Sequence, residues 1–253
     1  MRALPTLDGN RGHNGFAAGA NNQGKVVGWA ENTVRDSTCV SPQVFQFKAV
    51  IWHLKKDDIE IEELPLLPDD TSSAATAINN RGQVVGISGI CDKAVGRHTA
   101  RHAVLWDKGE ALDLGNIGAP HWVTPTAINE QGAVVGFASI RGAGPDDEIF
   151  SAFLWTKRDG IQDLDELPGD NFSQAWGIND GGQVVGLSCG ANGCRAVIWR
   201  NGAVEDLNKF KGGYPFHLES AKDINDIGEI TGRAIINPST GEREAYLAIP
   251  THR

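Results

Sequence analysis

The 253-residue chain contains one methionine and two tyrosines, and no apolar run long enough to cross a membrane as a helix. Membrane spanning by helices is therefore not expected. Lysine and arginine nowhere cluster, and 23 basic against 32 acidic residues leave a net charge of −9. A nucleic-acid partner is excluded on that balance, since such binding is mainly phosphate neutralisation. No glycine-rich loop opens a helix, so no phosphate cradle is expected, and the Gly-x-Ser-x-Gly turn of serine hydrolases is missing. "MRALPTL" is not a secretory leader, because it has no apolar centre. Cysteine is scarce but even in number. Cys189 and Cys194 flank "GANG" in a tight loop, and Cys39 and Cys91 fall in corresponding loops of neighbouring sequence repeats. Paired disulfides and an oxidising compartment are expected, hence a secreted or periplasmic protein whose leader has been removed.

What the chain does have is glycine, 31 of them, and repetition. "GANNQGKVVG", "AINNRGQVVG", "AINEQGAVVG", "GINDGGQVVG" and "DINDIGEITG" end at Gly28, Gly86, Gly136, Gly186 and Gly232. Each is followed by a second signature: "AVIW", "AVLW", "AFLW", "AVIW" and "AYLA", ending at Trp52, Trp106, Trp155, Trp199 and Ala248. A third alternates apolar and acidic residues, as in "IEIEELP" and "IQDLDELPG". Each repeat reads as four short strands. Asn-x-x-Gly turns the first into the second, because asparagine bonds its own backbone and glycine takes the positive-φ position. The middle two strands are continuously apolar and the fourth is half exposed.

Four antiparallel strands per repeat of about 50 residues make a propeller blade, and five repeats make a single five-bladed β-propeller over 1–253. "RALPTL" matches the end of a fourth strand and "EAYLAIP" a third. The expected closure is therefore an N-terminal strand completing the last blade. The residues before the third-strand tryptophan resemble the HAF repeat, a probable extracellular repeat named for His-Ala-Phe. They read "KAVIW", "RHAVLW", "SAFLW", "RAVIW" and "EAYLA", so only His102 and Phe153 keep the first and last letters. The resemblance covers the whole chain and implies a propeller-like, often secreted protein. It implies no reaction.

Function placed at one point of a ring must show as a difference between repeats. Eight positions before the turn asparagines stand His13, Thr71, His121, Asn171 and His217. Strand alternation would put this column, and the small residues six, four and two before the asparagine, on one face lining the channel. Five sheets packed about 10 Å apart put the innermost backbone about 8.5 Å from the axis. An imidazole plus a metal–nitrogen bond of about 2.1 Å spans that distance. His13, His121 and His217 are thus expected to share one divalent ion with an open position, zinc first and manganese second.

Glu219 is the candidate general base, and Tyr214, three residues before His217 in the "GGYPF" crossover, is a second catalytic candidate at the mouth. Asn171, Thr71, Trp122, Phe172 and Glu31 are candidates for contacting substrate, and Phe216 stands beside them. Packing is the competing role for the aromatic residues and surface charge for Glu31. The expected activity is metal-dependent hydrolysis of a small or saccharide-like substrate by a monomer, with substrate entering under loops 29–48, 87–101 and 137–150. A metal-dependent uronate lyase and a non-catalytic carbohydrate-binding propeller are the alternatives.

Overall fold

The computed structural model describes residues 2–7, 14–91, 100–118, 122–139 and 149–251. The five repeats form five antiparallel sheets. Blade 1 holds β1 (Gly15–Ala20), β2 (Lys25–Arg35), β3 (Phe45–Leu54) and β4 (Ile59–Glu63). Blade 2 holds β5 (Ser72–Ile78), β6 (Val84–Gly89), β7 (His102–Asp107) and β8 (Glu110–Asp113). Blade 3 holds β9 (Val123–Ile128), β10 (Val134–Ser139), β11 (Phe150–Thr156) and β12 (Gly160–Asp163). Blade 4 holds β13 (Asp170–Ile178), β14 (Val184–Gly190), β15 (Gly193–Arg200) and β16 (Ala203–Asp206). Among the described residues blade 5 has only β17 (His217–Ile224), β18 (Ile230–Asn237) and β19 (Glu242–Ala248). The β-propeller is therefore present, and the longest expected loop, 29–48, is mostly ribbon. β2 and β3 extend far enough to leave only 36–44 outside strands.

The turn asparagine does more than close its hairpin. In blade 2, Asn79 Oδ1 accepts from the amides of Arg81 and Gln83 at 3.1 and 3.0 Å, and Gly82 follows at φ +80°. The remaining amide group reaches the next blade. Asn21, Asn79, Asn129 and Asn179 donate through Nδ2 to the carbonyls of Asn79, Asn129, Asn179 and Asn225, at 2.9–3.1 Å. A second series runs beside it. Asn22, Asn80, Glu130 and Asp180 donate their amides to side-chain oxygens of Asn80, Glu130, Asp180 and Asp226. All five turns line one cavity of about 320 Å³, which marks that end of the axis.

The relay stops at blade 5, where Asn225 Nδ2 turns to Glu229 at 2.7 Å. The expected fourth strand is also missing there among the described residues. Residues 2–7 form no strand and dock on blade 1. Trp52 Nε1 donates to the Pro5 carbonyl at 2.8 Å, just as Trp106 and Trp199 donate to the carbonyls of Pro65 and Asp165. "ALPTL" thus occupies the place of a fourth-strand end as read from sequence. β19 pairs with β18 alone, and the expected closure is not formed among the described residues.

Candidate functional site

The innermost strands do not alternate cleanly, and this changes which residues face what. Each carries a bulge between the residues four and two before its asparagine: Ala17/Gly19, Ala75/Ala77, Pro125/Ala127, Ala175/Gly177 and Ala221/Asp223. A bulge inserts one residue and reverses the facing of everything beyond it. Ala75 and Ala175 therefore pack back on the preceding blade, whereas Ala77 and Ala127 pack forward on the next. The single channel-facing row expected from alternation does not exist. The bulged residues themselves, Ala18, Thr76, Thr126, Trp176 and Lys222, run around the axis. Thr76 and Thr126 donate to the carbonyls of Pro125 and Ala175 in the next blade, at 2.8 and 2.9 Å. Lys222 Nζ sits 3.6 Å from the Trp176 ring centre.

Of the histidine column, His13 and His121 lie outside the described residues. His217 begins β17 and turns to the preceding blade, where Nε2 bonds the Cys194 carbonyl at 2.7 Å. It lines a cavity of about 370 Å³ with Cys194, Pro215, Phe216, Ile235 and Pro238. A carbonyl only accepts, so the proton is on Nε2 and Nδ1 holds the free lone pair of the neutral ring. Thr71 has both backbone groups bonded, its amide to Gly89 and its carbonyl to Lys48 Nζ. Asn171 is exposed in a further bulge of β13. Among the described residues no three of His, Cys, Asp and Glu come together as metal ligands.

Glu219 stands out of register in a second bulge of β17, between Leu218 and Ser220. Its carboxylate is held by Arg243 through Nε (2.9 Å) and Nη2 (3.0 Å), and by Arg233 through Nε (2.7 Å). The Arg243 hydrogen bonds, against burial and with Arg233, hold its pKa below the ordinary glutamate value. A carboxylate so stabilised is a poor proton acceptor, which weighs against its expected role as base. Tyr214 donates to Glu244, and that bond pushes its pKa up.

The aromatic candidates pack against neighbouring side chains. Trp122 donates to Thr124 Oγ1 and stands edge-on to Phe150, which meets Phe172 in the same way. Phe216 stacks edge-on with Tyr214. Glu31 is not on the surface. It is 2% exposed, and its Oε1 accepts from Asn14 and Gln43. His53 and His102 form pairs with Glu62 and Asp113 on the outer strands, and His98 and His252 lie outside the described residues. Both expected disulfides, Cys39–Cys91 and Cys189–Cys194, are formed.

Sequence reasoning missed Lys222, Arg233 and Arg243. The signal was available in the repeat alignment. Where blades 1 to 4 have Trp29, Ile87, Phe137 and Leu187, blade 5 has Arg233; where they have Phe47, Arg101, Phe150 and Cys194, it has Arg243.

No protein-family model matches the chain, and no curated protein matches it. Among solved structures it is similar to Pyrococcus horikoshii acylaminoacyl peptidase. The orthorhombic form aligns at 15% identity and TM-score 0.54, and the uncomplexed form at 14% and 0.50, each over 88% of this chain and 34% of that one. The chain thus spans about a third of the peptidase. A weaker likeness, at 12% identity and TM-score 0.39, is to the β-propeller domain of the Trilobed protease from Pyrococcus furiosus, over 94% of this chain and 82% of that one. Likeness at this level concerns fold alone. No helix among the described residues is long and apolar enough to cross a membrane.

Proposed function

We propose that the protein is a metal-dependent hydrolase whose centre lies where the innermost strands begin, with His13, His121 and His217 as ligands. The observation that carries this reading is the bond from His217 Nε2 to the Cys194 carbonyl. Metal-bound imidazoles characteristically donate their second nitrogen to such an acceptor, which fixes the ring and frees the other nitrogen for the ion. The Cys189–Cys194 disulfide anchors that carbonyl. Zinc, or manganese, bound there would supply an acidified water for attack on an ester-like or saccharide-like substrate. The two disulfides suit a secreted or periplasmic location. We take the protein to be a monomer with no nucleic-acid or membrane partner.

A second reading, a non-catalytic binding propeller, is favoured by one observation: the carboxylate nearest His217 along β17 is locked between two arginines. Elemental analysis of the purified protein, paired with turnover of lactone, ester and glycoside panels, separates the two. Hydrolysis predicts one zinc or manganese per chain, lost together with activity in His13→Ala, His121→Ala and His217→Ala. Bound metal without turnover would select the binding reading, and an unsaturated product absorbing in the near ultraviolet would select the lyase. Protein without metal, active or not, ends the proposal.

A further inference from the structure

The cavity of about 370 Å³ beside His217 has a lining of one chemical kind. Pro215, Phe216, Ile235, Ile236 and Pro238 form most of it, and apart from the His217 imidazole no lining side chain is acidic or basic. In a chain that is 22% charged, this is the local feature that calls for a ligand of matching polarity.

Three local structures build the cleft. The first is the hairpin of blade 4. Ala191 and Asn192 alone join β14 to β15, whereas blade 1 spends residues 36–44 at the corresponding point. Blade 4 therefore has little chain with which to cover the start of β17. Cys189 lies directly opposite Cys194, and their disulfide fixes this wall. The second is a bulge in β18. The register shifts between Ile235 and Asn237, so Ile236 is the inserted residue. Two consecutive isoleucines thus line the cavity, where alternation would supply one. The third is the crossover into β17. Lys211 Nζ donates to the Phe216 carbonyl at 2.7 Å, and the Tyr214 ring stands edge-on to Phe216. Asn208 bonds both backbone groups of Leu218, at 3.0 and 2.8 Å. The walls are thus held in place without a ligand, which lowers the ordering cost of binding one.

The lining selects the occupant. A sugar would bury several hydroxyls against side chains that cannot bond them, and an anion would give up hydration with no cation to replace it. Hydrocarbon gains from every wall, and polar partners stand only at His217 and the exposed Asn192. We propose that this cleft binds the neutral aliphatic acyl group of the substrate, with the tail against Phe216, Ile235 and Ile236 and the carbonyl end toward His217. The inference rests on the hydrolase reading and narrows it to an ester or lactone of a short fatty acid.

Two measurements on the intact protein test this, one with turnover and one without. Ethyl esters of acetic, butyric, hexanoic and lauric acid are compared by kcat/KM, with monoethyl succinate as a substrate ending in a carboxylate. The rate constant should rise about four-fold per methylene until the cleft is full and fall for laurate. Monoethyl succinate should be at least ten-fold poorer than ethyl butyrate. Calorimetry with hexanol, which is no ester, reads the cleft alone. Hexanol should bind saturably, glucose not at all and hexanoate anion at least ten-fold more weakly. Ile236→Trp fills the cleft and should weaken hexanol binding at least ten-fold and lower the hexanoate-to-acetate ratio. Leu112→Ala, which removes an exposed apolar side chain elsewhere, should leave hexanol binding unchanged. Hexanol binding that Ile236→Trp weakens, without turnover of any ester, supports the cleft and removes the hydrolase. The proposal is overturned, with the hydrolase intact, if esters are cleaved regardless of acyl length or if monoethyl succinate equals ethyl butyrate. It is also overturned if hexanol does not saturate, or if its binding survives Ile236→Trp.

Discussion

A methyl group added to Gly186 would overlap the carbonyl oxygen of Gln174, and Gly28, Gly86, Gly136 and Gly232 meet Phe16, Ala74, Thr124 and Ser220 in the same way. The bulge in the innermost strand brings that carbonyl close, so the glycine ending each "VVG" is required by contact. Gly186→Ala should cost about 3 kcal/mol or more, read as a fall in denaturation midpoint. The turn asparagines are not equivalent. Asn129 is buried, bonding the Ala133 amide and the Asn179 carbonyl, whereas Asn225 is exposed and ends the relay. Asn129→Ala should cost about 2–3 kcal/mol and Asn225→Ala about 1 kcal/mol. Urea titration of both distinguishes them, and equal costs would contradict the relay. Glu219 gives a pH signature. Its folded pKa is depressed, so the stabilisation is present above the unfolded value and lost as pH falls through the folded one. The stability gap between the wild type and Glu219→Gln should be full near neutrality and close progressively below about pH 4.

The strands were legible in the sequence because buried and half-buried ribbons impose different periodicities, and the Asn-x-x-Gly turns because they need particular side chains. The facing of the innermost strand was not legible. Alternation predicts one face for His217, Glu219, Ala221 and Asp223, but two bulges in β17 redistribute them. A bulge depends on how a strand meets its partner, and here on the close approach of Gly232 to Ser220. The disulfides act on elements of different span. Cys39–Cys91 joins loops of two blades across 52 residues, and Cys189–Cys194 closes a hairpin across 5. On loop-closure entropy, replacing the first pair by serine should cost about 4 kcal/mol and the second about 2 kcal/mol. Thermal unfolding of the two double variants orders them, and the reverse order would point to effects beyond chain entropy.

Across the whole molecule, the sheets are most securely joined from blade 1 forward to blade 5 and least where blade 5 would return to blade 1. The asparagine relay, the threonine bridges and the apolar interblade layers lie along that path. Among the described residues β19 lacks an outer strand like the one that pairs β15 in blade 4. Its amides should therefore exchange with deuterium at least ten-fold faster than those of β15. Equal protection of peptides covering Glu242–Ala248 and Gly193–Arg200 would show that a strand covers the edge in solution.

The sequence by itself determined the number of blades, the strands of the first four and the turns, because each is written in local periodicity or in a repeated residue of special geometry. It also placed three histidines in one column. Only the tertiary structure decided that Glu219 is clasped by arginines, that Glu31 is buried, and that an apolar cleft lies beside His217. Those outcomes depend on what a neighbouring blade presents, and a side chain's charge partner or cover comes from residues far away along the chain.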